Sequence, residues 1–198
     1  MSIAQAEKEN KQYNTMLTSI AEKLNALDVY RISLNAGFFV DSEMQTIEFE
    51  SFAQKGALQL PEYTVTGNIE MWQHLAVLQY LEADPSPYHE GEWVPIGSLE
   101  PGDVMRGASF DRDISSLIAS KLSKRYEKDI RRSCLRLGGA FIDDGKADIS
   151  AIFHFLPYYP MLLNLWLADD EFPASGKILI NSGAGRSLGL EAAGTEIK

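Results

Sequence analysis

Apolar residues near the start of the chain recur mostly at steps of three and four, with lysines and glutamates between them. This spacing puts the apolar side chains on one side of a helix, and it predicts an amphipathic α-helix over residues 3–27. The apolar side consists of Tyr13, Met16, Leu17, Ile20, Leu24 and Leu27.

The pattern changes after residue 29 to short segments rich in β-branched and aromatic residues. Connections this short leave no room for crossover helices, so the segments predict an antiparallel meander. The predicted strands are residues 30–34, 38–40, 46–52 and 63–66, with Gly37, Gly56 and Pro61 between them.

A second amphipathic helix is predicted from Asn68, whose side chain can cap the free amides, to the breaker Asp84-Pro85. It buries Trp72 and Leu81. Residues 84–107 then combine proline, glycine and acidic residues around one short strand at 93–96. Such a segment is a candidate functional loop.

The longest predicted helix covers residues 111–137 and ends at Gly138-Gly139. Four β segments follow, at 140–143, 149–156, 161–167 and 177–180, the last two joined by a turn over 169–176. Together the elements predict one α+β domain over residues 1–198, in which an antiparallel sheet packs against two or three helices.

Composition narrows the class of protein further. With 45% hydrophobic residues the chain is typical of globular proteins. Its formal net charge of −10 argues against nucleic acid or an anionic membrane as partner. No export signal or bilayer-length apolar stretch is visible, and the single cysteine excludes an internal disulfide or a four-thiolate cluster. We therefore expect a soluble, cytoplasmic protein.

An acidic turn provides the first candidate site. Asp169, Asp170 and Glu171 are adjacent at the tip of a predicted hairpin. Clustered carboxylates suit Mg²⁺ or Ca²⁺, and a turn can direct neighbouring side chains at one ion. Exposed turns are also commonly acidic for solubility alone, so a solvated turn is the alternative interpretation.

Aromatic residues surround this turn. Tyr158 and Trp166 can form the floor of a pocket for a flat ligand, or they can belong to the core. His154, between Phe153 and Phe155, is expected to be a buried neutral imidazole, although such a residue can also bind a metal or titrate.

Basic residues cluster on the predicted central helix, away from its apolar side. They can bind an acidic partner or a phosphate group, or they can pair with carboxylates of the same chain. The cluster consists of Lys121, Lys124, Arg125, Lys128, Arg131, Arg132 and Arg136, of which Lys124, Lys128, Arg131 and Arg132 are the candidate interaction residues.

Three further features give weaker support for a functional site. The glycine-rich segment 182–186 lacks the third glycine and the following strand of a dinucleotide-binding turn. His74 and His89 show no metal-ligand spacing, and His74 is expected on a helix flank. Cys134 lies on the apolar side of its helix, which indicates a core residue rather than a nucleophile.

The C-terminal half contains Pro157-x-x-Pro160, then residues 166–174 with sequence WLADDEFPA, then the strand at 177–180. These residues resemble the signature of a prokaryotic family named domain of unknown function 3786. Weaker similarity extends over most of the chain. The resemblance implies no established activity. It implies an origin in anaerobic bacteria or archaea, where some members of the family occur alongside corrinoid or iron–sulfur proteins of one-carbon metabolism.

Three functions stay open at this point. The first is a ligand-binding or accessory protein that uses Tyr158, Trp166 and the acidic turn, for which the family resemblance implies a role in anaerobic cofactor or one-carbon metabolism. The second is a metal-dependent enzyme in which the acidic turn holds a divalent ion and His154 transfers protons. The third is a protein–protein interaction module that uses the basic residues. The sequence identifies no cofactor.

Overall fold

The computed structural model describes residues 3–87, 90–98, 104–123, 125–143 and 145–184, which form five α-helices and two antiparallel sheets. The predicted α+β class is confirmed, although there are two sheets where one was predicted. The helices are α1 (Ile3–Asn25), α2 (Val29–Asn35), α3 (Met71–Glu82), α4 (Val104–Leu122) and α5 (Glu127–Arg136). The strands are β1 (Phe39–Asp41), β2 (Thr46–Ser51), β3 (Gln54–Gln59), β4 (Thr64–Gly67), β5 (Trp93–Pro95), β6 (Ala140–Ile142), β7 (Ile149–Leu156), β8 (Tyr159–Trp166) and β9 (Ser175–Asn181).

The first sheet is the predicted meander, with strand order β1-β2-β3-β4. Strand β3 was not predicted; it pairs with β2 from Ser51 opposite Gln54 onward, so only two residues form the turn. The predicted strand at 30–34 was wrong, because these residues belong to α2. Asp28 starts that helix by accepting a hydrogen bond from the Arg31 backbone N–H at 3.2 Å.

The second sheet has strand order β5-β9-β8-β7-β6, and every neighbouring pair is antiparallel. Its strands agree with the predicted segments within two residues at each end. The two sheets meet where the Phe52 backbone N–H donates to the His154 carbonyl oxygen at 3.2 Å. The turn between β2 and β3 therefore lies against strand β7.

The single helix predicted over 111–137 was wrong, because the structure has two helices there. Helix α4 ends at Leu122, and a tight turn follows, in which the Arg125 N–H donates to the Leu122 carbonyl at 2.9 Å. Ser123 also donates its hydroxyl to the Ser120 carbonyl at 3.0 Å, a local bond that competes with helix continuation. The break lets α5 pack on the second sheet separately from α4.

The structure buries two apolar clusters. The larger joins α1, α2 and α3 to the first sheet, to the C-terminal end of β7 and to the N-terminal end of β8. The smaller lies between α5 and the second sheet and includes Ile130, Cys134 and Phe153. Phe52 contacts both clusters, and its ring lies 5.2 Å from the ring of Phe155.

His74 in α3 connects three elements of the larger cluster. It is 1% exposed, so the expected helix-flank position was wrong. Its Nε2 lies 2.7 Å from the Tyr63 carbonyl oxygen, and its Nδ1 lies 2.6 Å from the Tyr13 hydroxyl. A carbonyl only accepts, so Nε2 carries the proton and Nδ1 accepts from Tyr13. Burial lowers the pKa of His74, against the opposing effect of the Tyr63 carbonyl.

Gly176 marks the point where α4 packs closely on β9. A Cβ atom there would lie 2.5 Å from Ile118 Cγ2 and 2.8 Å from Leu165 Cδ2. We expect Gly176→Ala to lower the free energy of unfolding by about 1–3 kcal/mol, because overpacking forces the helix or both side chains to shift. Urea titration measures this, with Ser175→Ala, an exposed position of the same strand, as the control. Equal stability of the two variants would contradict the close contact.

In the described part of the chain, none of the helices is both long and apolar enough to cross a lipid bilayer.

Candidate functional site

A cavity of about 620 Å³ lies between α4, α5 and one side of the second sheet. We call it the central cavity. The turn between β2 and β3 and the start of α3 border its mouth. Its apolar lining is Phe52, Trp72, Leu117, Ile118, Leu122, Ile130, Cys134, Leu137, Phe153, Met161, Leu163, Leu165 and Ile178.

Strand alternation explains the apolar floor of the central cavity. Phe153 pairs with Met161 across β7 and β8, and Leu163 pairs with Ile178 across β8 and β9. Paired residues point to the same side of a sheet, as do residues two apart in one strand. These side chains therefore converge below α4 and α5 and line the space between the helices and the sheet.

Two helices form the walls. Leu117, Ile118 and Leu122 approach from the last turns of α4, and Ile130 and Cys134 approach from α5. The break between α4 and α5 separates the two walls. A continuous helix would have given one apolar side, so the break creates the space between them.

The mouth of the central cavity is polar. Lys121 and Arg125 border it on the side of α4, and both are exposed. Neither forms an ion pair with any residue that the structure describes. Two cationic groups thus stand at the entrance to an apolar cavity.

The opposite side of the mouth carries Gln54, Asn68 and Glu70, with Gln73 buried behind them in the lining. Gln73 is already engaged, since its Oε1 accepts from the Glu70 backbone N–H at 3.0 Å and its Nε2 lies 3.4 Å from Ser51 Oγ. Glu70, rather than the predicted Asn68, is the N-cap of α3. Asn68 is exposed and free to contact a ligand.

The turn at the mouth has an unusual backbone. Phe52 and Ala53 have φ angles of 49° and 59°, which are left-handed values. A two-residue hairpin turn of this kind normally uses Asn-Gly, and a bulky residue there is strained. The turn holds Phe52 against Phe153 and Phe155, with ring centroids 6.3 Å and 5.2 Å away. Two of the five non-glycine residues with left-handed φ angles in the described part of the chain thus lie in this turn.

Cys134 is the single thiol of the chain, and it lines the central cavity. It is 4% exposed, as expected for a residue on the apolar side of its helix. Burial raises its pKa, which the nearby Arg131 only partly offsets. The thiol is therefore protonated at neutral pH and reacts slowly.

The structure does not bring the aromatic candidate residues together. Tyr158 precedes β8 and Trp166 ends it, so the strand separates them by about 26 Å at roughly 3.3 Å per residue. His154 lies near Tyr158 and is exposed, so its expected burial was wrong. None of these three side chains lines the central cavity.

Trp166 has a structural partner. Its Nε1 donates to the Lys146 carbonyl at 2.9 Å, and the adjacent Leu167 N–H donates to Asp148 Oδ2 at 2.7 Å. Lys177 lies over the indole at 5.9 Å from the ring centroid. These contacts attach the loop before β7 to the end of β8.

The acidic turn stabilises its own backbone. Asp169 Oδ1 accepts from the Phe172 N–H at 2.6 Å and from the Glu171 N–H at 2.9 Å. The hydrogen bond from the Phe172 N–H lowers the pKa of Asp169 most, and the one from the Glu171 N–H lowers it further. Asp170 and Glu171 are exposed. Across the residues described, no three His, Cys, Asp or Glu side chains lie together as a metal-binding group.

The arginines of α5 form ion pairs and a hydrogen bond within the chain. Arg131 Nε lies 2.7 Å from Glu127 Oε1, and Arg131 Nη2 donates to the Asp148 carbonyl at 3.2 Å. Arg132 Nη1 lies 3.6 Å from Asp129 Oδ1. These exposed pairs orient the side chains and contribute little to stability.

The basic residues do not share one helix surface. Lys121 and Arg125 border the central cavity, whereas Lys128 lies over the ring of Tyr126, 5.9 Å from its centroid. Lys124 lies outside the described residues, as do His89 and the glycine-rich positions from residue 185 onward.

A family model described as Domain of unknown function (DUF3786) matches residues 28–194 of the chain. No curated protein and no solved structure matches it. The match covers every strand of both sheets and every part of the central cavity.

Proposed function

Since this chain belongs to the family named domain of unknown function 3786, whose description specifies no activity, we propose from the central cavity that it is a small-molecule-binding protein. The ligand is a molecule with an apolar body, and it lies between α4, α5 and the second sheet. This proposal replaces Tyr158, Trp166 and the acidic turn as the ligand site.

The observation that carries the proposal is the volume of the central cavity together with its apolar lining. A cavity of about 620 Å³ lies well within the range of about 300–1,000 Å³ typical of small-molecule sites. Mostly hydrophobic and aromatic walls with a few polar groups at one end are also typical of such sites.

The strained turn at Phe52 and Ala53 supports the same location. Left-handed backbone at non-glycine residues is retained only where the surrounding structure holds it, and it concentrates at binding sites. Here it holds an aromatic ring at the mouth. A ligand with a flat or branched apolar body can pack against Phe52 and Trp72.

Protection of Cys134 tests the proposal. The neutral dye N-phenyl-1-naphthylamine serves as the probe, and N-ethylmaleimide labels the single thiol of the chain. We expect slow labelling without the dye, because the thiol is buried and its pKa is raised, and at least about tenfold slower labelling with saturating dye.

Denatured protein serves as the control, since its thiol should react equally fast with and without the dye. Two outcomes would overturn the proposal. Either the dye fails to bind up to its solubility limit, or it binds without changing the labelling rate of Cys134.

A further inference from the structure

The charges at the mouth of the central cavity point to a class of ligand. Lys121 and Arg125 border the mouth on one side, and the chain as a whole carries a net charge of −10. On the neighbouring helix α5, Arg131 and Arg132 each pair with a carboxylate. Lys121 and Arg125 have no ion-pair partner among the residues described.

The opposite side of the mouth does not neutralise them. Its single charged residue is Glu70, which starts α3, and the amides available there are those of Gln54 and Asn68, since Gln73 is buried and already bonded to Glu70 and Ser51. The mouth therefore carries two positive charges against one negative charge. Amide N–H groups can add neutral donors to an anion held there.

We propose that the ligand is a small amphipathic anion, with an apolar body in the central cavity and one anionic group held by Lys121 and Arg125. This inference rests on the proposed function and names the chemical class of its ligand. A carboxylate, sulfonate or phosphate supplies the required charge, and guanidinium and ammonium groups donate several hydrogen bonds to any of them.

In this arrangement the cavity binds the apolar body of the ligand, and the charges at the mouth bind its anionic group. The long side chains of Lys121 and Arg125 can lay their methylene stems along the apolar wall while their charges stay in water at the mouth. A ligand that fills the cavity brings its anionic group to these charges and displaces water around them. The electrostatic part then depends on salt, and the apolar part does not.

Two matched dyes test this inference. 8-Anilinonaphthalene-1-sulfonate has the same aromatic body as N-phenyl-1-naphthylamine and adds one sulfonate group. The test variant is Lys121→Gln with Arg125→Gln. The control variant is Arg112→Gln with Arg136→Gln, which removes the same charge at exposed positions that do not line the cavity.

We expect the test variant to weaken binding of the sulfonate dye at least about tenfold and to change binding of the neutral dye less than about twofold. The control variant should bind both dyes like the unmodified protein. Added salt should weaken only the sulfonate dye. Circular dichroism spectra establish that both variants are folded.

The inference is wrong if the test variant weakens both dyes equally, or if the control variant weakens the sulfonate dye as much. In either case binding of the neutral dye still supports the proposed function. If neither dye binds the unmodified protein, the proposed function and this inference both fail.

Discussion

Replacing His74 by leucine is expected to lower the free energy of unfolding by about 2–4 kcal/mol. The imidazole makes two short hydrogen bonds inside the structure, to the Tyr63 carbonyl at 2.7 Å and to the Tyr13 hydroxyl at 2.6 Å. Leucine leaves the buried Tyr63 carbonyl unpaired, which costs about 1–3 kcal/mol, and it removes the hydrogen bond of the partly buried Tyr13 hydroxyl, which is worth about 1 kcal/mol. Better apolar packing offsets a small part of this loss. Urea titration at neutral pH measures the difference.

Tyr13→Phe is the matched control for this variant. It removes one hydrogen bond and keeps His74 bonded to Tyr63, so we expect a loss of only about 1 kcal/mol. A His74→Leu variant as stable as the unmodified protein would show that the imidazole does not hold α1, α3 and the segment before β4 together.

The same histidine makes stability depend on pH. Burial lowers its pKa in the folded state, whereas the unfolded chain has the usual value of about 6.5. Below that pH the unfolded state binds a proton that the folded state does not, so stability falls as pH falls. The fall continues until the folded-state pKa is reached. His74→Leu should therefore lose less stability than the unmodified protein between pH 7 and pH 5.

Replacing Ser133 by tryptophan is expected to weaken binding of N-phenyl-1-naphthylamine nearly a hundredfold. Ser133 lies on α5 and borders the central cavity, with its hydroxyl donating to the Asp129 carbonyl at 2.9 Å. An indole at this position occupies space that part of the dye would fill. If the dye loses about 100 Å² of apolar contact with the cavity, its free energy of binding weakens by about 2.5 kcal/mol, which corresponds to nearly two orders of magnitude in Kd.

Ser116→Trp provides the matched control, because Ser116 is exposed on α4 and does not line the cavity. Its hydroxyl bonds to the carbonyl four residues earlier, as that of Ser133 does. Direct excitation of the dye avoids interference from the added tryptophan. If both variants bind the dye with equal affinity, the dye does not occupy the central cavity.

The regular parts of the fold could be predicted from the sequence because hydrophobic patterns alone determine them. Strand β7 was predicted with both ends correct, and the meander followed from short connections. Strand β3 was missed for a physical reason. Its turn uses Phe52 and Ala53, with no glycine or asparagine to signal a left-handed backbone.

Two helical regions, α2 and the segment that forms α4 and α5, were misread because the local signal was ambiguous. The segment at 30–34 contains β-prone residues, and the Asp28 cap overrides this preference. The break between α4 and α5 contains neither glycine nor proline, so the helical periodicity continues through it. Packing of each helix on the second sheet, which the sequence does not encode locally, favours the break.

The candidate site could not be predicted, because it exists only when distant elements meet. Phe52, Cys134 and Ile178 line one cavity although they come from three separate parts of the chain. The aromatic candidates Tyr158 and Trp166 lie in one short stretch of sequence, but an extended strand places them at its two ends.

A crystal structure of the protein with N-phenyl-1-naphthylamine would show directly whether the central cavity binds an apolar ligand. We expect electron density for the dye between α4, α5 and the second sheet, with its rings against Phe153, Leu163 and Ile178. Density for the dye at another surface, with the central cavity filled by side chains of the protein itself, would contradict it.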